Sequence, residues 1–530
     1  MIHNDEISTL ADLPTVQARQ LPDNRALVFR DEILTYSQLE LQSNRLANAL
    51  LAQGVREQSR VALLAKDSLN SYVILFACAK IKAVLVTINW RLAAPEVSYI
   101  LRDANVETLF IGAEFHSLVT SIRDEISNIK TFISLDKTFL EKTEQEWLDY
   151  SSWHQQYSNL KPDITISPSD VVVQIYTSGT TGLPKGVQLG HYSFFAVAKE
   201  FAKRGRKWIN WSQEDKSLLV VPFFHIGCLW WAIRGLVSGA ENIILESFDA
   251  LEVLEALEKY QITKTFMVPA MIQILLTEPQ CKQTNFSSLG HIIYGGSPIA
   301  EPVLKEGIGT FSCDFVQIYG LTETGNCAVS LPGDAHLFGK TNRLKSAGKA
   351  FPGVSVKILD HEAKELPPFE IGEICIKSPA NMIGYWKLPE ATAKTLVDGW
   401  IHTGDAGYFD EEGYIYICDR FKDMICYAGE NVYPSEIENI LYEHPAIAEV
   451  AVIGIPDEDF GEAIKAIVVL KAGIKTIASD IINFLRGKLA DFKLPRSIEF
   501  VESLPRTPSG KIQKGKLREK YWQGYERKVN

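Results

Sequence analysis

Three short apolar runs in this chain each stop in a glycine-containing loop, and this constrains the fold more than any other feature. Val171-Val172-Val173-Gln174-Ile175 leads into Tyr176-Thr177-Ser178-Gly179, His291-Ile292-Ile293-Tyr294 into Gly295-Gly296-Ser297-Pro298, and Phe315-Val316-Gln317-Ile318 into Tyr319-Gly320-Leu321-Thr322-Glu323. Apolar runs of this length bounded by turn residues read as buried strands. In open α/β sheets, ligands sit beyond the carboxyl ends of strands. Three such loops converge on one cleft if their strands are neighbours. Helical periods alternate with further runs of this kind. Thr35 and Gln38 have the spacing of a capping box, and Leu39, Leu46 and Leu50 fall on one face of the helix it starts. Residues 60–64 and 83–87 read as two more strands. The alternation predicts an α/β architecture with parallel strands.

At 530 residues the chain exceeds the ~300 that one core usually sustains, so two or more domains are expected. A boundary is expected near Arg420. Beyond it, residues 450–454 and 466–470 read as strands and 481–489 as a helix, enough for a small α+β domain. The predicted division is 1–419 and 420–530. The formal charge of −11 argues against nonspecific nucleic-acid binding, which needs a basic surface. The eight cysteines lack zinc-site spacing and the density of a disulfide framework, as expected for free thiols in a reducing compartment. The acidic start has no secretory pattern. Lys80 and Lys82 interrupt the most apolar stretch, 73–88, which reads as a buried helix and strand instead of a membrane span. The last three residues are not a Ser-Lys-Leu address. The expected location is cytoplasmic, with peripheral membrane contact left open.

Five segments carry chemistry. In the first, Tyr176-Thr177-Ser178-Gly179-Thr180-Thr181-Gly182-Leu183-Pro184-Lys185-Gly186, small residues let the backbone approach an anion, hydroxyls and peptide N–H groups donate, and Lys185 adds charge. It is not a Walker loop, because Gly186 follows the lysine. In Tyr319-Gly320-Leu321-Thr322-Glu323 the ring can stack on a base, the hydroxyl can meet a phosphate and the carboxylate can hold Mg²⁺. In Gly399-Trp400-Ile401-His402-Thr403-Gly404-Asp405 the carboxylate can accept ribose hydroxyls. The fourth is Asp419-Arg420-Phe421-Lys422-Asp423, followed by Gly429-Glu430-Asn431-Val432-Tyr433-Pro434. The fifth, Leu504-Pro505-Arg506-Thr507-Pro508-Ser509-Gly510-Lys511, presents one lysine on a rigid loop. Taken singly, the last four also read as core packing, an Asp turn, a solvated linker and an exposed turn.

In this order the five segments resemble the signature motifs of the adenylate-forming superfamily: acyl-CoA synthetases, nonribosomal-peptide adenylation domains and beetle luciferases. The resemblance implies a large N-terminal domain, a small mobile C-terminal domain and a site between them. It implies an ATP-dependent acid–thiol ligase that works through an acyl-adenylate, using ATP, Mg²⁺ and coenzyme A. By resemblance, Thr177, Ser178, Gly179, Thr180, Thr181, Gly182 and Lys185 handle the ATP phosphates. Gly295, Gly296 and Ser297 line the adenine pocket, while Tyr319, followed by Gly320, stacks on adenine. Thr322 meets the α-phosphate and Glu323 helps hold Mg²⁺. Asp405 and Arg420 bind the ribose. Lys422 lies at or beside the hinge, and the loop around Gly429 serves the second step. Lys511 matches the lysine that reaches the reacting carboxylate and the α-phosphate.

Pro222-Phe223-Phe224-His225-Ile226-Gly227 resembles the acyl-side motif, in which His225 adjoins the substrate carboxylate; a packed core histidine is the other reading. Amino-acid-activating relatives place an Asp shortly after this motif, and residues 226–231 have none, which favours an apolar acid. Trp230 and Trp231 either line its pocket or are plain core. Luciferases and some aryl-acid ligases carry Lys-Tyr-Lys-Gly where this chain has Cys426-Tyr427-Ala428-Gly429, which puts luciferase chemistry in doubt. The leading expectation is a medium- to long-chain fatty acyl-CoA synthetase. Loading of an acyl or peptidyl carrier protein, an aryl acid, and a catalytically silent nucleotide binder are the alternatives.

Overall fold

Two of the three glycine-ended strands are neighbours. In the computed structural model His291–Gly295 and Asp314–Tyr319 pair in parallel, with Gly295 opposite Ile318. The structure describes residues 4–136, 147–177, 183–204, 208–336, 343–427, 430–457, 461–507 and 511–523. These two strands belong to a nine-stranded sheet. Its parallel body also contains Lys264–Met267, Lys216–Leu219, Glu241–Ile244 and Arg25–Phe29. Antiparallel strands edge it on both sides.

The third strand, Val171–Thr177, lies elsewhere. It sits in an eight-stranded sheet, between Val84–Thr87 in parallel and Lys185–Gly190 antiparallel. The condition that all three strands be neighbours is therefore met by only two of them. An apolar run reports burial on both faces and carries no record of its partner. Instead, an edge of the eight-stranded sheet reaches the turn that follows Asp314–Tyr319. Gly384–Tyr385 pairs with Lys185–Gly190, and just before it Met382 donates its N–H to the Glu323 carbonyl at 2.8 Å.

Local signals hold where they rest on backbone chemistry. Thr35 and Gln38 form the reciprocal cap, with the Gln38 N–H donating to Thr35 Oγ1 at 3.2 Å and the Thr35 N–H to Gln38 Oε1 at 2.9 Å. The helix Tyr36–Ala52 follows, and Leu39, Leu46 and Leu50 are fully buried. The 73–88 stretch is the helix Leu69–Lys80 and the strand Val84–Thr87. Lys80 is tolerated inside because its ammonium donates to Glu40 and Asn44. Burial pushes its pKa down to about 8 against the pull of Glu40. No helix among the described residues is long and apolar enough to cross a membrane.

A third sheet contains Ser355–Leu359, Gly372–Lys377, Trp400–Phe409 and Ile415–Arg420. A fourth begins at Ile425–Tyr427 and contains Gly461–Leu470, Ile447–Asp457 and Ser497–Phe500. It has its own core, in which Ile425, Val432, Ile437, Val450, Val452, Ile464, Ile481 and Leu485 pack together. The two strands expected here are present. The helix spans Ala478–Leu485, four residues short of the expected end. Arg486 is extended, and Gly487 takes φ +73°, a left-handed backbone that stops a helix.

His191 is fully buried at the head of the helix Tyr192–Lys203. Its Nδ1 accepts the Leu10 N–H at 3.0 Å, and its buried Nε2 has no partner among the described residues. Burial holds its pKa down at about 4, so folding binds the neutral ring while the unfolded chain protonates near its ordinary value of about 6.5. The stability from this site is full above about pH 6.5 and is lost as pH falls toward the folded pKa. Between pH 7 and pH 5 the expected loss is about 2 kcal/mol, at about 1.4 kcal/mol per pKa unit. Urea unfolding at the two pH values checks it, and His191→Asn flattens the difference.

Candidate active site

Asp405 joins residues from three of the segments. It is only 5% exposed and lies on Trp400–Phe409, opposite Arg420 on the neighbouring antiparallel strand. Its Oδ1 is 3.0 Å from Arg420 Nε. Its Oδ2 accepts the Tyr319 hydroxyl at 2.7 Å. Residues from three motifs thus meet at one carboxylate. Arg420 is held above its ordinary pKa chiefly by Asp405, and burial, then Asp405, push the Tyr319 phenol well up. Gly295 and Gly296 stand beside Tyr319. A Cβ on Gly295 would lie 2.4 Å from the Ile318 carbonyl, and Gly296 has φ +87°. Ser297 follows, half-buried. A Cβ on Gly320 would fall 1.6 Å from the Asn326 carbonyl, so only glycine fits that turn.

Thr322 and Glu323 occupy a short 3₁₀ turn, Thr322–Thr324. Its entry is fixed by the Leu321 N–H donating to Thr324 Oγ1 at 2.8 Å. Tyr385, which the sequence reading did not single out, joins this turn to the first motif. Its hydroxyl donates to Glu323 Oε1 at 2.8 Å, and the Lys185 ammonium lies 5.1 Å from its ring centroid. A tyrosine in the run Gly384-Tyr385-Trp386 gave no sequence signal for this role, because the contact depends on Gly384–Tyr385 adding to the sheet edge. Thr177 pairs with Lys185 across the first loop. Ser178, Gly179, Thr180, Thr181, Gly182 and Gly429 lie outside the described residues, as does the Lys422 side chain.

His225 precedes the helix Ile226–Ser238. The segment before it is gripped from both sides. Asp67 Oδ2 accepts the Phe223 N–H at 2.8 Å, and the Trp90 ring meets Phe224 edge-on at 6.2 Å. The His225 Nε2 is buried and without a partner among the described residues. Its pKa is pushed down to about 3, first by burial and then by the positive charges of Lys511 and Arg91. The imidazole is therefore neutral at physiological pH. Two bonds fix the base of Lys511: its N–H donates to Thr507 Oγ1 at 3.0 Å, and its carbonyl accepts the Thr507 N–H at 2.6 Å. Trp230 and Trp231 pack among aromatics, 5.7 Å from Trp208 and 4.8 Å from Trp211 respectively.

The candidate site thus includes a buried acidic acceptor with a paired arginine, a lysine and a carboxylate bridged by a tyrosine, and a neutral histidine within reach of the charge of a second lysine. The profile of the family described as "AMP-binding enzyme" matches residues 15–386. That of the "AMP-binding enzyme C-terminal domain" matches residues 436–511. A fatty acid–[acyl-carrier-protein] ligase of Streptomyces coeruleorubidus is 45% identical over 100% of this chain and 99% of its own length. A long-chain-fatty-acid–CoA ligase of Mycobacterium tuberculosis is 36% identical over 93% of this chain and 94% of its own. Among solved structures, an anthranilate CoA ligase in complex with anthranoyl-AMP superposes with a TM-score of 0.89 at 27% identity, covering 97% of both chains.

Proposed function

Because the chain belongs to the AMP-binding enzyme family, and is an adenylate-forming acyl ligase, we propose that it activates an aliphatic carboxylic acid as acyl-AMP and transfers the acyl group to the phosphopantetheine thiol of a carrier protein. The observation that carries the chemistry is the buried His225 Nε2, which has no partner among the described residues and whose ring feels the positive charge of Lys511. A neutral imidazole can donate one hydrogen bond to an acid oxygen, while the lysine offsets the charge that builds between carboxylate and α-phosphate. At the other end, Asp405 and Arg420 hold the ribose against Tyr319, with Gly295, Gly296, Ser297 and Gly320 shaping the adenine slot. Thr177 and Lys185, with the loop between them, take the phosphates, and Thr322 takes the α-phosphate.

Glu323 is a hard oxygen donor beside that phosphate path, and its chemistry suits Mg²⁺. A magnesium ion held there supplies charge neutralisation on the triphosphate. The protein's own contribution is to align the acid oxygen for attack on the α-phosphorus and to exclude water. Pyrophosphate leaves, and the thiol then attacks the acyl carbonyl with AMP as the leaving group. In this reading the domains divide at 419/420, and the second turns about Lys422 to replace Lys511 with the loop at Gly429.

The carrier-protein acceptor is supported by the full-length relative at 45% identity. Coenzyme A is the second reading, supported by the relative at 36%. The absence of an acidic residue at 226–231 supports an apolar acid. The purified protein is incubated with ATP, Mg²⁺ and a ladder of aliphatic and aryl acids, with either coenzyme A or a phosphopantetheinylated carrier, and products are read by mass spectrometry. Acyl-carrier with little acyl-CoA is the expected result. Efficient acyl-CoA formation would move the acceptor to the second reading, and aryl products alone would overturn the aliphatic assignment.

A further inference from the structure

Glu373, Cys375 and His402 form a cluster that the ligase chemistry does not use. Glu373 and Cys375 point to one face of Gly372–Lys377, and His402 lies directly opposite Cys375 on Trp400–Phe409. His402 Nδ1 is 2.8 Å from Glu373 Oε2 and 3.5 Å from Cys375 Sγ. One ligand atom from each residue lies within 4.8 Å of the other two. Tetrahedral zinc with the usual bond lengths places a nitrogen and a sulfur about 3.6 Å apart and a nitrogen and an oxygen about 3.4 Å apart. The nitrogen–sulfur distance already matches, and the nitrogen–oxygen pair needs to open by about half an ångström. The sulfur is buried, while the His402 and Glu373 side chains are 25% and 27% exposed, which leaves a solvent side for entry and for a fourth, water ligand.

The register explains why the cluster exists. Glu373 faces Ala406 while Cys375 faces His402, so two extra residues bulge from the longer strand between them. Gly404, at φ +69°, forms that bulge, and its N–H donates to Glu373 Oε1 at 2.9 Å. Asp405 is the next residue. One carboxylate therefore ties the cluster to the turn that carries the ribose acceptor.

We propose that Glu373, Cys375 and His402 bind a thiophilic divalent cation, with Zn²⁺ the best fit, in a site separate from the Mg²⁺ that accompanies ATP. A thiolate and an imidazole select Zn²⁺ or Co²⁺ over Mg²⁺, which takes oxygen ligands. Because Glu373 also holds the Gly404 bulge, occupancy is transmitted to Asp405, and it changes the KM for ATP more than that for the acid.

Cobalt titration of the full-length protein tests this. Wild type is expected to take up one equivalent with a thiolate-to-cobalt charge-transfer band, which excess Zn²⁺ displaces and Mg²⁺ does not. Cys375→Ser removes the band and His402→Gln weakens binding at least ~10-fold, the cost of losing even an outer-shell partner of a metal ligand. Cys426→Ser, at an exposed thiol, retains it. His402 is partly exposed, so its variant remains informative if Cys375→Ser does not fold. No band at stoichiometric cobalt, or a band undiminished in Cys375→Ser or His402→Gln, would overturn the assignment.

Discussion

Lys511→Ala is expected to slow acyl-adenylate formation by about 10²–10³-fold, the loss typical of one charge-stabilising donor at a reacting centre. The same variant should convert supplied acyl-AMP to thioester at close to the wild-type rate. The split follows from geometry. Lys511 stands on a loop pinned through Thr507, and its charge reaches His225 in the larger part of the chain. In the proposed mechanism that placement serves the first half-reaction. Lys511 is exposed, so its removal leaves the core intact and the defect is read in rate, not in yield of folded protein. Separate half-reaction assays check it. Equal loss in both steps would mean that one arrangement serves both reactions, and the hinge assignment would fall.

Asp405→Ala carries the second large effect. The carboxylate is buried and accepts from Tyr319 while pairing with Arg420. In the proposed complex it also accepts from the ribose. Two charge-assisted hydrogen bonds to hydroxyls are worth about 1.5–3 kcal/mol each. Their loss lowers kcat/KM for ATP by at least ~10²-fold, at about 1.4 kcal/mol per factor of ten. The KM for the acid should stay within about threefold, since the proposed complex places the acid at the His225 end and distant sites couple weakly. Steady-state kinetics with each substrate varied in turn separates the two. A larger change in the acid constant would place Asp405 at the wrong end of the cleft.

The segments of the candidate site are legible in the sequence because each is short and they follow one another in a recognisable order. Gly295, Gly320 and Asp405 stand in short segments that the family resemblance marks together, though each taken singly also reads as a turn or core, and the cap at Thr35 is complete within four residues. What the sequence did not show depends on partners far along the chain. Nothing in residues 171–177 tells that this strand sits in a different sheet from residues 291–295. Tyr385 becomes part of the site only because a two-residue strand adds to the edge at Lys185–Gly190. The proximity of Glu373, Cys375 and His402 is illegible for the same reason. All three are ordinary strand residues until a bulge sets their register. The helix after Ala478 was drawn too long because its apolar periodicity continues past Gly487, where the backbone turns left-handed.

The central claim is that the acid oxygen attacks the α-phosphorus of ATP. An acid labelled with heavy oxygen in its carboxylate, turned over with ATP and the thiol acceptor, tests this directly. The account predicts that the AMP released carries one heavy oxygen and the pyrophosphate none. Label-free AMP, or ADP and phosphate in place of AMP and pyrophosphate, would contradict it.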